Sequence, residues 1–349
     1  MTERRPRRGR LRRWLLNPWL FQTIVGAALI GAAVYEFDLR QVAHSFNDVR
    51  YQWLAAAFAL YVMSRLLHAI EWRITLSAVG DPPILGLFGV LLIGTLVNTV
   101  VPASAGDVAK VQIVANRYGL PRSGLIAGRA SEAVVNAVIM VGFIALSFAL
   151  PGADVTGHRV AWILIAVAVV VFAATVAASR LLPKQLPRWE MLGVFPKRSV
   201  DFLREHWPRI HEGFEVIRNP RLLGQAVGLN LFGWAEDIFI VWLFGQAFQL
   251  DVPIGAYVSL SVAVAVITTF PITIGNIGTY ELLLVSVLVL YGVSSPDALA
   301  FAIGTHVITA AFNVGLGLSA MWAMRLRPGD VFRMSPEPRE REPAPAAVK

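Results

Sequence analysis

The sequence contains no cysteine, and only 15% of its 349 residues are charged. The absence of cysteine excludes disulfides, thiolate metal sites and cysteine nucleophiles. Soluble domains are typically about 25% charged, whereas 56% of this chain is hydrophobic. The sequence also lacks a Walker loop, a His-Glu-x-x-His zinc motif and a Gly-x-Ser-x-Gly elbow. The composition therefore predicts an integral membrane protein, and from the missing motifs we expect no enzymatic activity, cofactor or metal site.

The net positive charge of the chain, +8, is concentrated in two segments that flank apolar runs. One is the run of arginines between residues 4 and 13, and the other is the segment 179–221. Basic residues at such places hold the cytoplasmic ends of spans and meet anionic lipid. The charge therefore predicts membrane lipids as partners, not nucleic acid, and places the N-terminus and the segment 179–221 in the cytoplasm.

Six segments are apolar and close to the ~20 residues that a helix needs to cross a bilayer. They are residues 18–35, 51–70, 124–150, 160–178, 222–248 and 298–324. Two further apolar segments, 84–101 and 254–270, are interrupted at residues 102–106 and 271–278, and shorter segments follow at 107–118 and 279–291. We therefore predict an all-α integral membrane protein with about six full transmembrane helices and two re-entrant or broken helix hairpins.

The two interruptions have the same layout, because each consists of an apolar helix, a proline, a nearby glycine and a short helix. Paired interruptions in two halves of a chain indicate an inverted repeat. The basic residues favour a first break that enters from the cytoplasm and returns, whereas the second fits a hairpin or two full spans. The predicted organisation is a basic cytoplasmic tail (1–14), a transmembrane domain (15–325) and a disordered cytoplasmic tail (326–349), in the cell membrane.

The first break contains groups that suit an anion. Its candidate residues are Asn98, Pro102, Ser104, Gly106, Asp107 and Lys110. Ser104 and Asp107 can cap the returning helix, and the free N–H groups at a helix start suit phosphate. The alternative is a plain Pro/Gly kink or a loop at the surface.

The second break offers a similar set of residues. They are Pro271, Gly275, Asn276, Gly278 and Glu281. Asn276 is a candidate cap for the helix that restarts at residue 279, and Glu281 suits the positive end of that helix. The alternative for Glu281 is that it only caps the helix.

Ionisable side chains inside the predicted spans are costly and usually functional. The candidates are Arg65, Arg129, Glu132, Glu236, Asp237 and His306. For Arg65, Arg129 and Glu132 the alternative is snorkelling or a structural ion pair, since Arg129 and Glu132 share one helical stripe. A lone His306 is commonly an interhelical hydrogen-bond donor, although histidine also suits a proton relay.

In these segments the chain resembles the lysylphosphatidylglycerol synthase transmembrane (flippase-like) family. The run from Gly94 to Asp107, with Lys110 after it, resembles the first motif of that family. Arg65 with Glu71-Trp72-Arg73, then Glu132, then the run from Pro271 to Glu281 are similar to its other landmarks in the same order. The resemblance covers about residues 15–325. It implies a membrane domain with inverted repeats that moves a phospholipid between leaflets, here without a soluble synthase domain.

The leading hypothesis is a lipid translocase with a cavity between the two breaks. The helix starts near Ser104–Gly106 and Asn276–Gly278, with Arg65 and Arg129, are expected to bind an anionic head group. A cationic group or coupling protons are expected at Glu132, Glu236, Asp237 and His306. Two alternatives stay open. One is a lipid-modifying membrane enzyme with Glu132, Asp237 or His306 as acid/base groups; the other is a scaffold partner of enzymes of envelope lipid or glycan synthesis.

Overall fold

The computed structural model describes residues 46, 48–77, 79–101, 105–149, 207, 215–269 and 272–332, together with most positions of 163–177. The first predicted span, 18–35, and most of the basic segment 179–221 lie outside the described residues. Three predicted site residues, Pro102, Ser104 and Pro271, also lie outside them.

All secondary structure in the described ranges is helical, which confirms the all-α fold class. The main helices are α1 (Tyr51–Leu76), α2 (Ile84–Val100), α3 (Ala105–Tyr118), α4 (Arg122–Ala149), α5 (Pro220–Ala247), α6 (Ile254–Thr269), α7 (Thr279–Leu290) and α8 (Ser295–Ala323). A helical turn, Glu215–Arg218, precedes α5, and single 3-10 turns cover Ile274–Asn276 and Pro328–Asp330.

Four of these helices, α1, α4, α5 and α8, are long and apolar enough to cross a membrane. The helices on either side of the two breaks are shorter, as an interrupted span requires; α2 has 17 residues and α7 has 12. The total of about six spans stays a prediction, since 18–35 is outside the described residues and 160–178 is described only in part.

α2 and α3 form an antiparallel hairpin around the first break. The two helices cross at glycines, because a Cβ added at Gly106 would collide with the carbonyl oxygen of Gly94. The amide of Asn98 closes the crossing, since its Oδ1 accepts a hydrogen bond from Gly106 N at 2.7 Å. Only glycine permits so close an approach of two backbones.

Two apolar cores hold the bundle together, one beside each break. The first surrounds the α2–α3 hairpin and includes Trp72 and Leu125. The second surrounds α7 and includes Tyr257 and Phe301. The polar residues of the two breaks therefore lie against packed protein, which is the setting that irregular backbone needs inside a membrane.

Two boundaries in the C-terminal part of the chain differ from the predicted ones. α8 begins at Ser295 and not at 298, because the hydroxyl of Ser294 accepts from Asp297 N at 3.4 Å and Pro296 suits the first turn. Past residue 325, a 3-10 turn over Pro328–Asp330 follows, and Val331 is 3% exposed within the first apolar core. The remaining domain boundaries stay predictions.

Candidate functional site

A seam of polar side chains runs along the interface between α1 and α5, the two helices with the most extensive mutual packing. Glu71 Oε1 accepts from Asn230 Nδ2 at 3.2 Å. One turn further along, the ring of His68 packs over Gly233, where an added Cβ would be 3.6 Å from its Cε1 atom. The seam continues to Arg65, whose guanidinium is 3.9 Å from Asp237 Oδ1. Polar groups therefore line this interface over about two helical turns.

Glu236 lies beside this seam and differs from its neighbours. It is 6% exposed, and neither carboxylate oxygen has a hydrogen-bond partner of ordinary geometry among the described residues. The fully buried Ser64 faces it from α1. Burial of an unpaired ionised carboxylate is energetically costly, so a bound cation or a proton on the carboxylate would stabilise Glu236 in this position.

Four charged groups form a network where α3 meets α4. Arg129 binds both Asp107 Oδ1, at 3.1 Å, and Glu132 Oε1, at 2.5 Å. Lys110 Nζ is 2.6 Å from the same Asp107 oxygen. The predicted pair of Arg129 and Glu132 therefore exists, within a set of two cations and two anions that has no net charge. The second oxygen of Glu132 is buried and lacks a partner in the described part of the chain.

A chain of hydrogen bonds connects the seam with the end of α2. The hydroxyl of Tyr61 donates to Asn313 Oδ1, and Asn313 Nδ2 donates to Thr99 Oγ1 at 3.3 Å. The guanidinium of Arg65 lies over the Tyr61 ring, 4.8 Å from its centroid. This link joins α1, α8 and α2 at the point where the first break begins.

The second break lies directly against the end of α2. A Cβ added at Gly275 would be 3.2 Å from the carbonyl oxygen of Thr99. Gly275, Asn276 and Gly278 all have positive φ, at 59°, 59° and 84°, which glycine adopts readily and asparagine tolerates. The structure thus places the second break beside the end of the helix that precedes the first break.

The cap of α7 differs from the predicted one. The N-cap position is Gly278, and its N–H donates to Glu281 Oε2 at 2.7 Å. Asn276 lies two residues too early, and its Oδ1 has no partner among the described residues. The interpretation of Asn276 as the cap is therefore wrong, because the Glu281 carboxylate already satisfies the first free N–H.

His306 has partners on both sides of its ring. Nδ1 is 2.6 Å from Glu281 Oε1, and Nε2 is 2.9 Å from the carbonyl oxygen of Gly275. Tyr280 stacks on the ring with centroids 4.5 Å apart. Glu281 therefore both caps α7 and binds His306.

The predicted site residues fall into three connected groups. The first contains Asn98, Gly106, Lys110, Arg129 and Glu132; the second contains Arg65, Glu236 and Asp237; the third contains Gly275, Asn276, Gly278, Glu281 and His306. The residues that connect them were not among the predicted site residues, although Glu71 and Thr99 lie in the motifs of the family resemblance; they are Tyr61, Ser64, Glu71, Thr99, Asn230 and Asn313. Polar residues at helical spacing inside apolar runs were the available signal.

Within the described ranges, no group of three or more histidines and carboxylates is arranged to hold a metal ion.

Comparison with known proteins gave two matches. The family model described as "Lysylphosphatidylglycerol synthase TM region" matches residues 19–317. The protein named "Glycosyltransferase AglD" from Haloferax volcanii is 26% identical over 338 residues, an alignment that covers 87% of this chain and 54% of that protein. The chain thus spans about half the length of this curated relative. No solved structure matches the chain.

The glycosyltransferase name corrects one expectation. The sequence analysis expected no enzymatic activity because familiar catalytic motifs are missing, and a relative that matches most of the chain is named as an enzyme. The physical reason lies in the motifs themselves. A Walker loop and a nucleophile elbow are strand–turn–helix structures, so their absence from a chain whose described residues are all helical carries no information about catalysis, and the missing His-Glu-x-x-His motif excludes only one class of zinc enzyme.

Proposed function

The chain belongs to the family of lysylphosphatidylglycerol synthase TM regions, and we propose from this premise that it moves a phospholipid or polyprenyl-phosphate-linked lipid between leaflets. The family and the named relative both support a function that involves membrane lipids. The proposal adds the movement of the lipid, the route and the residues that bind the head group. It also adds a cell-membrane location with both termini in the cytoplasm.

The observation that carries this proposal is a row of polar groups between the two breaks. It begins at the Asp107–Arg129 network, whose Glu132 and Arg129 interact electrostatically with Glu71, and follows the seam of α1 and α5 from Glu71. It then passes Tyr61 and Asn313 to Thr99, against which Gly275 lies. Polar groups inside an apolar bundle are costly unless they serve a substrate or an ion. A lipid head group needs such a route, while its tails can stay in the surrounding hydrocarbon.

The head group is assigned to the cations of the first break and the seam. Arg129 and Lys110 lie beside the start of α3, where the helix dipole also favours an anion. Arg65 extends the positive charge into the seam. Asn98 and Gly106 shape the first break, and Gly275, Asn276, Gly278 and Glu281 shape the second. Pro102, Ser104 and Pro271 stay predicted members of the site from the sequence. Cationic groups or protons are assigned to Glu132, Glu236, Asp237 and His306.

The test is a lipid-movement assay with the purified chain in liposomes that contain a fluorescent phospholipid. We expect Arg129→Ala to reduce the rate at least about tenfold, since a charge-assisted bond is worth about 1.5–3 kcal/mol. Arg117→Ala is the matched control, because Arg117 is exposed at the far end of α3. Parent-like rates for both Arg129→Ala and Gly106→Leu contradict the proposal.

A second candidate function follows from the named relative: a part in the synthesis of a lipid-linked glycan, either as an enzyme or as a partner of one. The alignment over 87% of this chain favours it. Glu132, Asp237 and His306 are then the acid/base candidates. The lipids of cells that lack the chain distinguish the two functions. A translocase changes the leaflet in which a lipid resides, whereas an enzyme changes the covalent structure of the lipid, which mass spectrometry detects.

A further inference from the structure

We propose that Glu281 and His306 form a proton-binding site that holds the second break in place. The two residues lie on different helices, α7 and α8, and both also bind the backbone of the break. Glu281 Oε2 accepts from Gly278 N at 2.7 Å, and His306 Nε2 is 2.9 Å from the carbonyl oxygen of Gly275. One pair of side chains thus fixes the break at two backbone atoms. Only the link between this site and lipid movement rests on the proposed function.

The hydrogen bonds determine how many protons the pair contains. A carbonyl oxygen only accepts, so the hydrogen between His306 and Gly275 belongs to Nε2. The 2.6 Å separation of Nδ1 and Glu281 Oε1 requires one more proton between these atoms. That proton lies on the ring beside an ionised carboxylate, or on the carboxylic acid beside a neutral ring. Both arrangements have one shared proton and no net charge.

The surroundings favour this neutral state. Tyr280, which stacks on the ring, donates its hydroxyl to Thr305 at 3.3 Å. α2, which packs against the break and α8, has no ionisable side chain, and α6, which packs against α7, has only Tyr257. Helices α1 and α5 also touch α8, α1 through Tyr61, and the nearby α1–α5 interface contains Arg65, Glu236 and Asp237. Of these, Tyr61 is connected to the break, through Asn313 and Thr99.

A change in proton number breaks the link between the two residues. Loss of the shared proton leaves the lone pair of Nδ1 against a carboxylate, and gain of a second proton leaves an uncompensated cation. Both states place a net charge among apolar side chains, which is unfavourable. Release of the second break therefore accompanies the loss or gain of one proton. In a lipid translocase, this exchange couples movement of the break beside Thr99 to a proton.

The absence of cysteine makes a direct test possible, because a single introduced cysteine is a unique label. Thr273 lies in the break and is 1% exposed, so Thr273→Cys reports release of the break. Ser77→Cys, at an exposed position after α1, is the matched reporter. The measurement is the rate of maleimide labelling of the full chain in detergent between pH 6 and 10. The labelling rate of Thr273→Cys is divided by that of Ser77→Cys at the same pH. This division removes most of the increase in labelling that comes from the ordinary ionisation of a thiol.

In the Thr273→Cys chain we expect the corrected rate to rise by up to about tenfold per pH unit once the pair loses its proton. Adding Glu281→Gln should keep the rate low and flat at high pH. The amide accepts from Gly278 and donates to Nδ1 but has no proton to lose. Tyr280→Phe, beside the pair, should retain the rising profile.

A flat profile in the Thr273→Cys chain overturns the proposal, as does an equal rise after Glu281→Gln. If the Glu281→Gln variant fails to elute as a single species in size-exclusion chromatography, the pH profiles of the Thr273→Cys chain and of its Tyr280→Phe derivative still test the proposal, because both must rise. Lipid movement is measured on the same samples. A rising profile without lipid movement contradicts only the proposed function, and lipid movement with a flat profile contradicts only the proton site.

Discussion

Replacing Gly106 with alanine tests the hairpin on which the first break depends. The added Cβ would lie 2.6 Å from Asn98 Oδ1 and 2.7 Å from its Cγ, and closer still to the carbonyl oxygen of Gly94. Ordinary contacts need about 3.5 Å, so α2 and α3 must separate by about 1 Å. Such overpacking costs about 1–3 kcal/mol, and loss of the hydrogen bond from Gly106 N to Asn98 adds about 1 kcal/mol. We therefore expect a loss of about 2–4 kcal/mol in unfolding free energy.

A matched substitution separates this effect from the general preference of helices for alanine. An added Cβ at Gly224, in α5, meets no atom within 4 Å, so Gly224→Ala should raise stability by up to about 1 kcal/mol. The two variants should therefore shift the melting temperature of the detergent-purified chain in opposite directions. If Gly106→Ala is as stable as the parent, the close crossing of α2 and α3 is incorrect, and with it the geometry of the first break.

Three further substitutions test the site. Glu236→Gln should raise stability at neutral pH by about 1 kcal/mol or more, because it removes a buried carboxylate that has no hydrogen-bond partner of ordinary geometry among the described residues; a fall in melting temperature would indicate an unrecognised partner. Tyr61→Phe should lower stability by about 0.6–2 kcal/mol, since it leaves Asn313 Oδ1 without its donor. Asp107→Asn should tighten the binding of an anionic phospholipid about tenfold, as it frees Arg129 from one competitor. Lipid-induced shifts in melting temperature measure the last effect, and weaker binding contradicts it.

The helices were predictable because their signals are local. Apolar runs of sufficient length predicted 84–101 and 254–270, and the observed helices are Ile84–Val100 and Ile254–Thr269. The two breaks were predictable for the same reason, since proline and glycine act on their own segment. The ionisable candidates stood out because charge is rare in such runs.

The partners of the candidate residues were not predictable, because packing between distant segments determines them. Glu71 and Asn230 are 159 positions apart, and Tyr61 and Asn313 are 252 apart. Among side chains with several possible roles, local chemistry also misleads. Asn276 is a good cap by residue type, but Glu281 reaches back to Gly278 and takes that role. The error about enzymatic activity had another origin, as it drew a conclusion from the absence of three familiar motifs, two of which need a strand.

The exposure of the carboxylates in the first network indicates how an anionic head group can enter it. The side chain of Asp107 is 43% exposed, whereas that of Glu132 is 17% exposed. A phosphate that binds Arg129 must displace one of them, and the displaced carboxylate needs water or a proton. Asp107 can turn towards water while the phosphate takes its place beside Arg129 and Lys110. Glu132 would instead lose the one ion-pair partner that it has among the described residues, in a buried position, which is strongly unfavourable. If the proposed function is correct, we therefore expect the Asp107–Arg129 contact to break when the head group binds, while Glu132 keeps Arg129 oriented.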